Sequence, residues 1–245
     1  MPRIAPVIVA EEVYRRVKAM ILDGDLPAGV RIDRRALAET LGVSATPLNE
    51  ALARLTGERF VERPGPGQGR EGEGLYVPLR PAEELAQLFA ARAALEGMAA
   101  RLCVERALAG EEVPELDEIQ ERFAGFEPPF DAEAAQAYLR EDMAFHEAII
   151  RGSGNPVITD IDANLGTVHR SWIRGLVRAP EETLPEHRAI IAAFAARDSR
   201  SAQDLVVEHN MKSRAALLRE AAASAEAAAP GRLASLSPKP RPGTS

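Results

Sequence analysis

The chain is almost without cysteine. Its single thiol, Cys103, rules out an intramolecular disulfide and fits a reducing, cytoplasmic compartment. Leu102 and Val104 flank it in a helical pattern, so a buried, inert thiol is expected rather than a nucleophile. No stretch reaches the roughly 18 consecutive apolar residues of a membrane-spanning helix. The apolar run in MPRIAPVIVAEEVYRR is short and lacks a small-residue cleavage site after it, so no secretory leader is expected. An excess of positive charge is missing too. Thirty Lys+Arg against 37 Asp+Glu leave −7, which excludes a protein that coats nucleic acid indiscriminately. The deficit is uneven: residues 1–80 carry 12 basic and 11 acidic side chains, and the remainder carries 18 and 26. A near-neutral part therefore precedes an acidic one, which permits local DNA contact with a weak electrostatic footprint.

What is present is a helix-turn-helix pattern. In Asp33–Leu55, DRRALAETLGVSATPLNEALARL, Leu37, Ala38 and Leu41 repeat at helical spacing until Gly42 breaks the helix. Glycine there permits a positive φ at a tight corner. Ser44 reads as the N-cap of a second helix, with Pro47 in its first turn and Leu48, Ala51, Leu52 and Leu55 on its apolar face. In such a unit the second helix enters the DNA major groove N-terminal end first. An ordinary αα-corner has the same spacing. A helix over Glu11–Leu22 precedes the unit, followed by turn chemistry in DGDLPAG and a short run Val30-Arg31-Ile32. After it come Phe60–Arg63 and Leu75–Val77, two strand-like runs around Pro64–Gly74, which holds five Gly and two Pro in eleven residues. Three helices and a hairpin make a winged helix-turn-helix. Arg63 and Arg70 on the wing are candidate DNA contacts, or else solvated loop arginines.

From Pro81 onward no strand alternation appears. Helical patterns cover Pro81–Leu108, Gly110–Phe126, Asp131–Ile150, Asn155 to about Ala179 with a bend near Gly166, Glu181–Arg197 and Ser199–Ala223. The fold class expected is therefore mainly α, a winged helix-turn-helix (1–80) followed by an antiparallel all-α bundle of about six helices (81–223). Residues 224–245, rich in Ala, Ser, Pro and Gly, read as a disordered tail.

Three of the four histidines fall on apolar stripes. Asp142 and His146 stand four apart, on one face with Leu139, Met143 and Ile150. His187 aligns with Leu184, Ile190, Ile191 and Phe194, and His209 with Ala202, Leu205 and Ala216. His187 lies eleven residues before the turn near Asp198 and His209 eleven after it. At ~1.5 Å per residue each stands roughly 16 Å up an antiparallel hairpin, so the two imidazoles face each other. One carboxylate and three imidazoles suit a divalent ion such as Zn, Ni, Mn or Fe. The ordinary alternative is hydrogen-bonded core histidines with an Asp–His pair. His169 matches neither stripe and is left to the surface or a dimer contact.

VYRRVKAMILDGDLPAGVRIDRRALAETLGVSATPLNEALARL resembles the DNA-binding domain of the GntR family of bacterial transcription regulators. ARAALEGMAARLCVERA, DMAFHEAIIRGSGNP and EHRAIIAAFAARD resemble the all-helical FCD effector domain of its FadR-like branch. The resemblance implies a repressor or activator that binds a double-stranded DNA operator as a homodimer. It also implies a metal held by Asp142, His146, His187 and His209, completed by a small carboxylate metabolite. Arg92 is then a candidate effector clamp, or else an ion-pair partner of Glu96. Family members usually read S-R-T-P-x-R-E-A-L across the recognition helix, and here Ala45 and Asn49 replace the two arginines. Arg35, Ser44 and Thr46 remain as candidate DNA contacts, and Asn49 either reads an adenine or is silent. A metal-dependent hydrolase or lyase, and a scaffold with lost DNA binding, are the competing readings.

Overall fold

The computed structural model describes residues 6–63, 74–165 and 175–228, which form nine α-helices. The N-terminal three are α1 (Pro6–Leu22), α2 (Arg34–Leu41) and α3 (Ala45–Gly57). Asp33 starts α2 by accepting the backbone N–H groups of Arg35 and Ala36, two donors that no helical carbonyl reaches. Gly42 ends it at φ 68°, the left-handed corner that turns the chain into α3. Ser44 occupies the N-cap position of α3, but its side chain makes no capping bond, contrary to its expected role. Leu37, Leu48, Leu52 and Leu55 pack with Val13, Val17 and Ile21 of α1 in one buried core.

The expected wing strands shrink to isolated bridges. Tyr76 pairs with Glu62 through two backbone hydrogen bonds of 2.8 and 2.9 Å, and also bridges Arg31. Phe60, Val61, Leu75 and Val77 close the core beneath them. Pro64 and Pro78 follow these two runs in sequence, and neither can donate to a longer ladder. The tip 64–73, with Arg70, lies outside the described residues.

The second part holds α4 (Ala82–Leu108), α5 (Pro114–Glu121), α6 (Ala132–Gly152), α7 (Pro156–Leu165), α8 (Pro180–Ala195) and α9 (Ser199–Ala228). α4 and α9 run antiparallel along most of their length: Leu85 and Phe89 share a cluster with Leu217 and Ala221, and Arg101 reaches Gln203. Gly97 is the point of closest approach, where an added Cβ would lie 2.5 Å from Val207 Cγ2. The helical region expected from Asn155 to about Ala179, with a bend near Gly166, is described only at its two ends. α7 is described to Leu165, residues 166–174 (with Gly166 and His169) lie outside the described set, and 175–179 are non-helical. Pro180 sets the start of α8, one residue before the expected Glu181, because proline holds the preceding Ala179 extended (ψ 147°) and itself fits a first turn. α5 ends at Glu121, short of the expected Phe126, and Phe123 beyond it is left-handed at φ 63°. α9 continues to Ala228, past the expected start of the tail.

α6 touches the first part as well as the bundle core. Gln136 donates to the Leu22 carbonyl at 3.1 Å, Arg140 pairs with Asp23 at 3.1 Å, and Glu147 lies 3.9 Å from Lys18. Among the described residues no helix is long and apolar enough to cross a membrane.

Candidate metal centre and nucleic-acid interface

Asp142 and His146 on α6, His187 on α8 and His209 on α9 converge. One ligand atom from each lies within 4.8 Å of all the others, and all four residues are buried. The height argument is realised, since the His187 and His209 ring centroids stand 4.5 Å apart. Bonds of about 2.1 Å to a shared ion require ligand separations of roughly 3–4.2 Å, so the cluster closes around an ion with a contraction on the order of 1 Å.

The outer nitrogens determine what the inner ones can do. His146 Nδ1 lies 2.7 Å from Glu96 and His209 Nδ1 lies 2.8 Å from Glu186. Burial raises both glutamates, but the net displacement is well below the usual carboxylate range. Arg92 and His146 outweigh burial at Glu96, and hydrogen bonds from His209 and Arg178 do so at Glu186. Ionised carboxylates only accept, so both Nδ1 atoms carry the proton. His187 is oriented by a neutral chain. Tyr138 Oη lies 2.8 Å from Thr183 Oγ1 and 2.7 Å from His187 Nδ1, so the ring is held on its outer nitrogen. The two carboxylates assign the lone pair to Nε2 of His146 and His209. His187 Nε2 and Asp142 Oδ1 approach to 3.2 Å, and Nε2 makes no hydrogen bond. Protonation does not resolve that encounter. Burial, reinforced by the neighbouring His209 and His146, pushes His187 well below the ordinary imidazole value. Burial also lowers His209, against the opposing pull of Glu186. His187 Nε2, without a hydrogen bond, faces the Asp142 carboxylate inside the buried cluster, an arrangement of nitrogen and oxygen donors that suits a divalent cation.

Glu96, Glu186, Tyr138, Thr183 and Arg178 were not singled out from the sequence. Glu96 carried a signal, four residues after Arg92 on the same inward stripe. Glu186 and Arg178 are brought to His209 only by packing. Arg92 does make the ordinary ion pair, 2.7 Å to Glu96, and also lines a cavity of about 30 Å³ beside Asp142, His146 and His209. Gly175–Arg178 form its outer wall, and Arg178 holds both oxygens of Glu186 at 2.9 and 2.6 Å. The volume corresponds to about one water molecule. Cys103 is fully buried, and burial, then Glu115, push its thiol up to about 12, consistent with the expected inert role.

At the other end, Ser44, Ala45, Thr46 and Asn49 are exposed at the start of α3. Arg35 is 90% exposed with Nε 3.1 Å from Glu39, and Arg63 is exposed at the edge of the wing. Positive charge here is denser than the sequence suggested. Arg31, Arg34 and Arg35 from one stretch and Arg63 from another line one open notch of about 580 Å³. Arg31 and Arg34 were not singled out from the sequence; folding brings them beside Arg35 and Arg63.

A helix-turn-helix module whose second helix exposes its N-terminal end, joined to a helical bundle with its own polar centre, defines a class: DNA-binding regulators with a second, all-helical domain. The comparisons make this specific. The family model "Bacterial regulatory proteins, gntR family" matches residues 9–71, and the FCD domain model matches residues 87–213. The chain belongs to the GntR family, in its FCD-containing branch, and is a DNA-binding transcription regulator rather than an enzyme. It is similar to the HTH-type transcriptional repressor GlaR of Escherichia coli, 27% identical over 208 residues, covering 80% of this chain and 90% of that one. The HTH-type transcriptional regulator Rv0494 of Mycobacterium tuberculosis is 31% identical over 188 residues, covering 72% and 71%. The fold is shared with the solved structure of Escherichia coli McbR/YncC, at TM-score 0.64 and 24% identity over 86% of this chain and 98% of that one.

Proposed function

We propose that the chain is a homodimeric, metabolite-responsive regulator with two working units. Residues 1–80 bind a double-stranded DNA operator, with Arg35, Ser44, Thr46, Asn49, Arg63 and Arg70 on the contacting side. Residues 81–223 hold one divalent metal ion at Asp142, His146, His187 and His209, together with a small carboxylate effector. The observation that carries the metal reading is the encounter of His187 Nε2 with Asp142 Oδ1 at 3.2 Å, with every histidine anchored outward through Nδ1. Three imidazole nitrogens and a carboxylate suit Zn²⁺, Ni²⁺, Mn²⁺ or Fe²⁺. When bound, such an ion offsets the Asp142 charge and offers a position to the effector carboxylate, beside which Arg92 provides a guanidinium.

The cavity is too small for a carboxylic acid, so Gly175–Arg178 must withdraw to admit one. That wall is tied through Arg178 and Glu186 to His209, and α6 carries two of the four ligands while also touching α1. Occupation of the cavity therefore bears on the seating of the DNA-binding unit, whose spacing to its two-fold mate selects paired half-sites. The purified full chain is expected to carry about one divalent metal per subunit, and His187→Ala far less. Elemental analysis of the two proteins side by side is the test. Equal metal content would remove His187 from the site.

A further inference from the structure

The N-terminal end of α3 presents Ser44, Ala45, Thr46 and Asn49, none of them charged. Arg54 is the sole cation in the α3 sequence, and it is directed elsewhere. It pairs with Glu11 at 2.6 Å and Glu58 at 3.1 Å, and its guanidinium lies 3.7 Å from the Tyr14 ring centroid. The recognition helix thus has no guanidinium where it meets bases. Beside it lies the 580 Å³ notch of Arg31, Arg34, Arg35 and Arg63. Among the described residues Asp33 is the one carboxylate lining that notch, and its Oδ1 is occupied by the backbone N–H groups of Arg35 and Ala36. A second hollow, of about 370 Å³, is lined by Arg34, Asn49, Leu52, Ala53, Thr56, Arg63 and Leu75. Arg34 and Arg63 border both spaces, so the notch continues directly into the groove beside the recognition helix. Gly74 adds a geometric detail: a Cβ there would sit 2.7 Å from Arg31 Nε, so the absence of a side chain lets Arg31 lie flat against the wing.

We propose that Arg31, Arg34 and Arg63 form a seat for the phosphate backbone of duplex DNA, which supplies most of the operator affinity while α3 supplies little base discrimination. The inference rests on the DNA-binding reading and assigns where the affinity resides. A duplex fits this surface because guanidiniums grip phosphates in pairs of hydrogen bonds, and the notch is open along one side, as a continuous polyanion requires. Sequence preference then comes mainly from half-site spacing and from the deformability of the DNA.

The test uses the full chain and two labelled duplexes of equal length, one selected from a random pool and one scrambled. Binding is followed from about 50 to about 200 mM salt. Arg31→Gln and Arg34→Gln are each expected to weaken both duplexes by the same factor, and to lower the slope of log affinity against log salt by about 0.9. Arg200→Gln, an exposed arginine at the start of α9, is the control and should keep the parent slope. Ala45→Arg with Asn49→Arg should open discrimination for guanine-bearing family-type sites by about ten- to a hundredfold per arginine. Thermal melts of all variants confirm that these exposed changes leave the fold intact. An unchanged slope, or a loss confined to the selected duplex, would overturn the phosphate seat while leaving DNA binding in place. Failure of the parent to bind either duplex would instead overturn the DNA-binding reading on which the inference rests.

Discussion

The buried imidazoles make the protonation state of single residues a stability matter. Burial holds His187 and His209 below the ordinary value of 6.5, so in the folded chain they remain neutral where the unfolded chain begins to take up protons. Below that value the unfolded state binds more protons than the folded one, and stability falls as pH falls. Above it, the two residues add no pH dependence. Glu96 and Glu186 are also held low, but their contribution is complete above the ordinary carboxylate value of 4.5 and is lost only below it. The metal-free protein is therefore expected to melt at progressively lower temperature from about pH 7 to about pH 5. Thermal melts in chelator across that range check this, and a flat midpoint would contradict the buried, neutral assignment.

Among the elements, the α4–α9 pair sets the geometry on which the centre depends. Glu96 on α4 orients His146, Asn210 on α9 donates to Glu96 at 2.9 Å, and Gly97 lies against Val207 one residue further along α4. The helices can approach this closely only because position 97 has no side chain. Val207 is β-branched and stiff at χ1, so it cannot swing away from a new methyl group. Gly97→Ala would gain about 1 kcal/mol of helix propensity and lose about 1–3 kcal/mol to overpacking. The net expectation is destabilisation, with partial recovery in the Gly97→Ala, Val207→Ala double variant. Denaturant titration of the three proteins measures it. A single variant more stable than the parent would show that the helices part without cost.

At the scale of the whole molecule, one winged unit spans only a half-site. Useful affinity comes from two units related by a two-fold axis. The full chain is accordingly expected to scatter light as a dimer at micromolar concentration, and a monomeric mass would contradict this assembly. The two cores are separate clusters joined through α6 and through Arg80, which pairs with Glu62 on one side and Glu84 on the other. Among the described residues, polar contacts bridging the two parts include Gln136 to Leu22 and Asp23, Arg140 to Asp23 and Lys18 to Glu147. Such a joint can be reset by a modest change at the ligand-bearing helix, because polar contacts of this size contribute little individually.

The helix-turn-helix and the four inward polar residues were legible in the sequence alone. Both follow from chain-local rules: a repeat of 3.6 residues determines which face a side chain takes, and the rise per residue determines its height. Gly42, Leu37 and Leu52 could be assigned this way, and so could the level at which His187 meets His209. The family pattern identified the class. What surrounds those residues was decided by tertiary structure. Glu186, next to His187 in sequence, serves His209 on another helix. Tyr138 orients His187 across 49 positions of chain. Arg31, Arg34 and Arg63 become one basic surface only when the wing folds beside α2. The wing itself lost its expected strands to prolines whose effect depends on where pairing runs out. Such contacts depend on how far each helix is rotated and displaced against its neighbours, and that is settled by packing the whole core at once rather than by any local stretch of sequence.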